Sequence, residues 1–231
     1  MSLIQLQPSQ PVARRGFLVR LSQTAAALTA AFSDPARLGA ASPSPAFSSN
    51  SAAPDAWIDG LKGEHKVMLH VHQYFMTGLV DARTMLANAR DAYGVPEAQH
   101  GIAVMTHGPA IQGLLGDDVW QRFALGAFYK VNDPKTGAPA TRNMHLAPQE
   151  GEPIDAVVPD LMQRGVTFVV CNVALLTLAK RLAPAGTSAD TLHGELVAGL
   201  VPGTFLVPDL FVSIARAQKR GVAYLYTDRS R

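Results

Sequence analysis

Cys171 is the only cysteine among 231 residues, and its neighbours make it a candidate nucleophile. It follows Val166-Thr-Phe-Val-Val170, a short β-branched and aromatic run that reads as a buried strand. After Asn172, the residues Val173, Leu175, Leu176, Leu178, Ala179 and Leu182 recur at helical spacing. The thiol therefore stands where a strand gives way to a helix. Free N–H groups and the positive end of the helix dipole favour a thiolate there. Free cysteine is also among the most often buried residues, so the plain alternative is a small core hydrophobe. Two further groups carry chemistry. His70 and His72 share one face of an alternating run, KVMLHVH. His107 ends Ile102-Ala-Val-Met-Thr106 and precedes Gly108-Pro109.

These residues need a scaffold that gathers them. Strands are expected over Lys66–His72, Ile102–Thr106, Val166–Val170, Gly203–Val207 and Val222–Tyr226. Helices are expected over Leu79–Tyr93 (capped by Thr77), Ile111–Leu115, Asp117–Tyr129, Ile154–Arg164, Val173–Leu182, Leu192–Leu200 and from Pro208-Asp209 to Arg220. Crossovers of helical length between short buried strands imply α/β architecture: a mostly parallel five-stranded sheet with helices on both faces, layered as in flavodoxin-like folds. Ligands of such sheets bind at the C-terminal strand ends. That edge would collect His70, His72, Thr106, His107, Gly108, Cys171, Asn172 and Asp209. Cys171 and His107 are the catalytic candidates; His70, His72, Thr106, Gly108, Asn172 and Asp209 are the ligand-binding ones. His-x-His with His107 or Cys171 could hold a metal, but no carboxylate stands at a matching spacing, and neither a metal site nor a cofactor is assigned. Asp209 also suits a helix start. His65, His100, His145 and His193 fall in expected loops or helix surfaces and read as solvated. There is no Gly-x-Gly-x-x-Gly, phosphate-loop or Gly-x-Ser-x-Gly motif.

Hydrophobic residues make up 48% and charged residues 16%, which suffices for one sizeable core. Residues 1–46 hold four of the 20 basic side chains and one of the 18 acidic ones, so the remainder carries a net charge of −1. That argues against nucleic acid as a partner. Ala13-Arg-Arg-Gly-Phe-Leu-Val19, followed by the mildly apolar Leu21–Phe32, resembles a twin-arginine export signal. It is too short and Ala-rich for stable membrane insertion. The expected organisation is a signal over residues 1–40, an Ala/Ser/Pro-rich linker over 41–61 and the α/β domain over 62–231. The resemblance implies passage through the twin-arginine translocase, folded, into the periplasm.

Three stretches resemble the DsrE/DsrF-like family of sulfur-relay proteins: Gly101-Ile-Ala-Val-Met-Thr-His107-Gly108-Pro-Ala, Gly165-Val-Thr-Phe-Val-Val-Cys171-Asn172, and the closing helix, Gly221 and aromatic strand between Val207 and Tyr226. The resemblance spans about Lys66 to Thr227. It implies a parallel sheet of about five strands, homo-oligomers (trimers or hexamers), and a persulfide on the cysteine after the third strand, the position Cys171 matches. Activity would be that of a sulfur carrier or sulfurtransferase, with a sulfur donor or acceptor protein as partner. Relay members are cytoplasmic, and residues Asn132 to Pro153 exceed the compact core. Two other readings of the same pocket are a non-catalytic periplasmic ligand-binding or assembly module and a His-based metal-binding protein.

Overall fold

In a computed structural model of the chain, the structure describes residues 54–149 and 156–228. All of them belong to the unit spanning residues 49–231. The twin-arginine stretch and most of the linker lie outside the described residues. Five strands form: β1 His65–Val71, β2 His100–Thr106, β3 Thr167–Cys171, β4 Phe205–Val207 and β5 Ala223–Tyr226. Eight helices accompany them among the described residues: α1 Ala56–Asp59, α2 Phe75–Tyr93, α3 Asp117–Arg122, α4 Leu125–Tyr129, α5 Val158–Gln163, α6 Asn172–Leu182, α7 Ala189–Ala198 and α8 Leu210–Lys219. Tighter 3₁₀ turns cover Glu97–Gln99 and Gly108–Leu114.

Every strand pairing is parallel, in the order β4-β3-β2-β1-β5. The steps from β1 to β4 all move the same way, so right-handed crossovers stack their helices on one face. The packing agrees. A Cβ at Gly78 of α2 would lie 2.6 Å from Val71 Cγ2, and the Phe75 and Phe168 rings are 6.3 Å apart. Only the return from β4 to β5 crosses the sheet backwards. Its helix, α8, lies on the second face, where Phe211 meets the rings of His70 and His107. Helices thus cover both faces, but unevenly.

The hydrophobic patterning buries what it should. Val67, Met68, Leu69 and Val71 of β1, Ile102 to Met105 of β2, and Phe168 to Val170 of β3 are all buried, as double-sided cover of a parallel sheet requires. Ser188 caps α7 by accepting Asp190 N–H at 3.2 Å, and Asp209 caps α8 by accepting Val212 N–H at 2.9 Å. Pro159 sits in the first turn of α5, where a missing N–H costs nothing.

Several elements depart from the expected ones. α2 begins at Phe75, so Thr77 is inside the helix and its hydroxyl donates to the Tyr74 carbonyl at 2.7 Å instead of capping. Asp117–Tyr129 divides into α3 and α4 at Ala124, which adopts a left-handed backbone (φ 47°). Asp117 caps nothing; its Oδ1 accepts the Asn143 N–H at 2.8 Å. Asn143 in turn donates its Nδ2 to the carbonyls of Gly113 (2.9 Å) and Leu115 (2.7 Å), which ties the long loop to the domain. The folded domain also starts earlier than residue 62. Trp57, Ile58 and Leu61, read as linker, are buried core residues.

Charge fastens α1 to α8. Arg216 Nε donates to Asp55 Oδ1 at 2.8 Å, Arg220 Nη2 to Asp55 Oδ2 at 2.8 Å, and Arg220 Nη1 to Asp59 at 2.7 Å. The hydrogen bond from Arg216 holds the Asp55 carboxyl below its ordinary range, against desolvation and with help from both arginine charges. Charge-assisted bonds contribute roughly 1.5–3 kcal/mol each when sheltered, but both guanidinium groups are largely exposed. Asp55→Ala should therefore cost about 1–2 kcal/mol in urea unfolding at pH 7. A loss below 0.3 kcal/mol, roughly the noise of such a measurement, would show that α1 is held by the packing of Trp57, Ile58 and Leu61 rather than by these ion pairs.

Candidate functional site

The site is built on the face that α8 covers. Residues paired in a parallel sheet point to the same side, and Met68↔Tyr224 and His70↔Tyr226 are register pairs of β1 and β5. β1 and β2 end on Val71↔Thr106, which places His72 and His107 one step beyond, side by side. β2 and β3 end on Thr106↔Val170, which places His107 beside Cys171 in the same way. His70, His72, His107 and Cys171 thus share one face and one rim. The loops after β3 and β4 leave this rim for opposite faces. α6 contacts the 3₁₀ segment 108–114, which packs under Phe75, whereas α8 packs against the histidines. Such a divergence is where open α/β sheets form their crevice.

The imidazoles are linked. His72 Nδ1 and His107 Nδ1 are 2.9 Å apart, so one ring donates to the other. His107 is half-buried; desolvation chiefly, then the neighbouring His72, lowers its pKa, while Asp209 opposes the shift. His70 is buried, with its Nδ1 2.9 Å from the Tyr224 hydroxyl. Burial, then His107 and His72, push its pKa down to about 4, against Asp228. It is neutral at pH 7. Its Nε2 is buried and has no hydrogen-bond partner, and the ring is surrounded by Tyr226, Phe211, Tyr224 and His107 at centroid distances of 5.4 to 6.2 Å. Gly108 allows this crowding. Its backbone is left-handed (φ 57°), and a Cβ would lie 2.4 Å from His72 Cε1, so its role is close approach.

Cys171 is the N-terminal neighbour of α6, as expected, but it is only 2% exposed and belongs to the hydrophobic core. The expectation of a solvent-accessible thiol is corrected: Cys171 is packed into the hydrophobic core. Thr106 is fully buried, and its hydroxyl donates to the Val169 carbonyl at 3.1 Å, a strand-to-strand tie. Asn172 Oδ1 lies 2.7 Å from His193 Nε2. His193, read as solvated, is half-buried in that bond. Asp209 acts as the helix cap described above. His145 also departs from its solvated reading. Its ring meets Phe75 edge-on at 5.0 Å, its Nδ1 is buried without a partner, and burial lowers its pKa to about 4. His100 stacks on His65 at 5.1 Å.

Four site residues were not anticipated: Phe211, Tyr224, Tyr226 and Asp228. The alternation of Tyr224 and Tyr226 in the last strand was visible, but its pairing with His70 required knowing that β5 lies beside β1. Among the described residues, no group of three or more His, Cys, Asp or Glu side chains is disposed to hold a metal ion. No described helix is long and apolar enough to cross a membrane.

No family model matches the chain, and no curated protein matches it. Among solved structures, the chain is similar to a protein of unknown function from Methanobacterium thermoautotrophicum, with 16% identity and a TM-score of 0.39 over 71% of this chain and 99% of the other.

Proposed function

We propose that the chain is an exported, DsrE/DsrF-like sulfur carrier that holds sulfane sulfur as a persulfide on Cys171, acting in the periplasm as a homo-oligomer. The observation that supports this reading is the position of the thiol. Cys171 closes β3 where the connections of β3 and β4 diverge, it adjoins the first turn of an 11-residue helix, and it follows Val170 as His107 follows Val170's register partner Thr106. The Cys171 thiolate would attack the outer sulfur of a donor persulfide. A new S–S bond forms as the donor's S–S bond breaks, the donor leaves as a thiolate, and the proton of its outer sulfur stays on the new persulfide. The start of α6 would favour the thiolate, and neutral His107 can accept the proton of the resting thiol. Because the thiol is only 2% exposed, sulfur would load only when the structure around it opens.

Incubation of the purified protein with polysulfide, followed by intact-mass measurement, should show a gain of one sulfur atom that is absent in Cys171→Ala. The gain should be slower than polysulfide loading of a free thiol. No adduct with polysulfide, thiosulfate or a low-molecular-weight persulfide would defeat the reading.

The burial of Cys171 favours one second reading, a binding module that uses the imidazole and aromatic rim without thiol chemistry. Native Cys171 would then resist alkylation even over hours in non-denaturing buffer.

A further inference from the structure

The two edges of the sheet are finished differently. β4 is three residues long, stands between Pro202 and Pro208, and is half-buried or buried throughout. Short length and flanking prolines are ordinary ways of blunting an edge. β5, at the other edge, carries no proline and no charge, and all four of its residues are exposed. A strand of a parallel sheet is normally covered on both faces. Tyr224 and Tyr226 lie on the His70 face, with ring centroids 5.9 and 5.4 Å from that imidazole, and Leu225 lies on the other face. On the His70 side the apolar surface continues through the exposed Phe211, also 5.9 Å from His70, to the adjoining exposed Val212.

The backbone of β5 is bare in a matching way. Thr227 N–H donates to the His70 carbonyl at 3.1 Å. Backbone groups of alternate residues in a strand point the same way, so Ala223, Leu225 and Thr227 face β1, while the N–H and C=O of Tyr224 and Tyr226 face outward. No described strand pairs with that side. This edge is complementary to itself. A second β5 running antiparallel, with Leu225 on a twofold axis, sets Tyr224 opposite Tyr226 of the other copy and the reverse. Each such pair exchanges two N–H···O=C bonds, and every outward group is satisfied.

The exposed area fits the same occupant. At roughly 200 Å² per aromatic side chain and about 100 Å² per aliphatic one, the exposed parts of Phe211, Val212, Tyr224, Leu225 and Tyr226 come to roughly 400 Å². That is about half of the roughly 800 Å² each partner buries in a standard interface, before the strand backbone is counted.

We propose that β5 is a dimerisation edge, on which a second copy of this chain pairs antiparallel about a twofold axis through Leu225 and joins two five-stranded sheets into one of ten strands. Cross-strand partners share a face. Each copy therefore lays its Tyr224 and Tyr226 beside those of the other on the His70 side, and the rim of each candidate site is completed by the partner's tyrosines. The pairing specifies an interface for the homo-oligomer proposed above and does not depend on sulfur chemistry at Cys171.

Sedimentation velocity of the full chain across a dilution series should show a closed dimer, and the Tyr224 and Tyr226 amides should gain protection from hydrogen exchange as it forms. Leu225→Lys, which sets two like charges face to face on the axis, should raise the dissociation constant at least tenfold. If that variant does not fold, cross-linking reads the register. The two copies of Leu225 form a non-hydrogen-bonded pair with Cα atoms about 4.5 Å apart, within disulfide reach. Leu225→Cys in a Cys171→Ala background should thus oxidise to a covalent dimer at least tenfold faster than Tyr93→Cys in the same background, although Tyr93, the last residue of α2, is 80% exposed. Cys171→Ala alone should dimerise as the unaltered chain does, so failure of sulfur loading leaves this result standing. A monomer at every concentration, an assembly that Leu225→Lys leaves intact, or equal cross-linking at the two positions would overturn the proposal. So would a monomer whose Tyr224 and Tyr226 amides are already protected, because another segment of the chain would then hold the edge.

Discussion

Phe168→Ala should cost about 3–5 kcal/mol, the range for truncating a fully buried aromatic ring. Phe168 is fully buried at the second position of β3, paired in register with Val104 and packed against Phe75 of α2. Nothing can collapse readily into the space, because the opposing strand and helix are held by the sheet register on one side and by Gly113 on the other. A Cβ at Gly113 would already lie 2.0 Å from the Phe75 ring. The consequence extends to the candidate site: Phe168 and Cys171 lie on opposite faces of the same short strand, so truncation would expose the thiol by making opening of the domain more frequent. If the variant stays folded, its thiol should react with an alkylating reagent at least tenfold faster than in the unaltered chain. Urea unfolding and alkylation followed by mass spectrometry measure the two effects. A loss under 1 kcal/mol would mean that β3 is not the keystone of the core.

Folding stability should fall by several kcal/mol as the pH drops from 6.5 to 5. His70 and His145 both have pKa values lowered from 6.5 to about 4, in each case first by burial. Their unfolded forms take up a proton near pH 6.5, while the folded forms resist it until about pH 4. The unfolded state therefore binds more protons throughout that window, and stability present above pH 6.5 is lost as pH falls. Full shifts of this size would correspond to roughly 2 kcal/mol per ring at pH 5, and partial solvation reduces this to about 1–2 kcal/mol each. Burial also lowers His100, His107 and His193, which add in the same direction. His145→Leu should flatten the profile by about one ring's share, roughly 1–2 kcal/mol. Unfolding midpoints that stay constant between pH 6.5 and 5 would sink this account.

Much of the scaffold was legible in the sequence because it rests on local rules. The Val166–Val170 run followed by 3.6-residue spacing located β3 and α6, and Ser188 and Asp209 announced their caps. The parallel sheet followed from crossover length alone. What escaped was non-local. Period-two alternation says which residues share a face but not which strand lies alongside, so β5 beside β1, and with it Tyr224, Tyr226 and Asp228, could not be read. Composition misled at residues 41–61, where Ala, Ser and Pro hid the anchoring of Trp57, Ile58 and Leu61. Thr106 and Gly108 were correctly placed at the rim but for the wrong reason, since one bonds a neighbouring strand and the other makes room for His72. Cover was the hardest property to foresee. Cys171 stands at a strand end, where exposure is common, yet it is 2% exposed and belongs to the core.

That backward step from β4 to β5 also sets the order in which the molecule can be finished. Domains generally fold from the N-terminal side as they leave the ribosome. Strands β1 to β4 add sequentially in one direction, and a four-stranded sheet can assemble with one apolar surface bare and the outer edge of β1 unpaired. Only when residues 210–228 emerge can α8 close that surface and β5 zip onto β1, pairing Val67 with Ala223 across 156 positions. The nascent protein must therefore keep a sticky, histidine-lined face open until late in synthesis, and a translation product stopped near residue 208, after β4 and before α8, should be a ready client for chaperones.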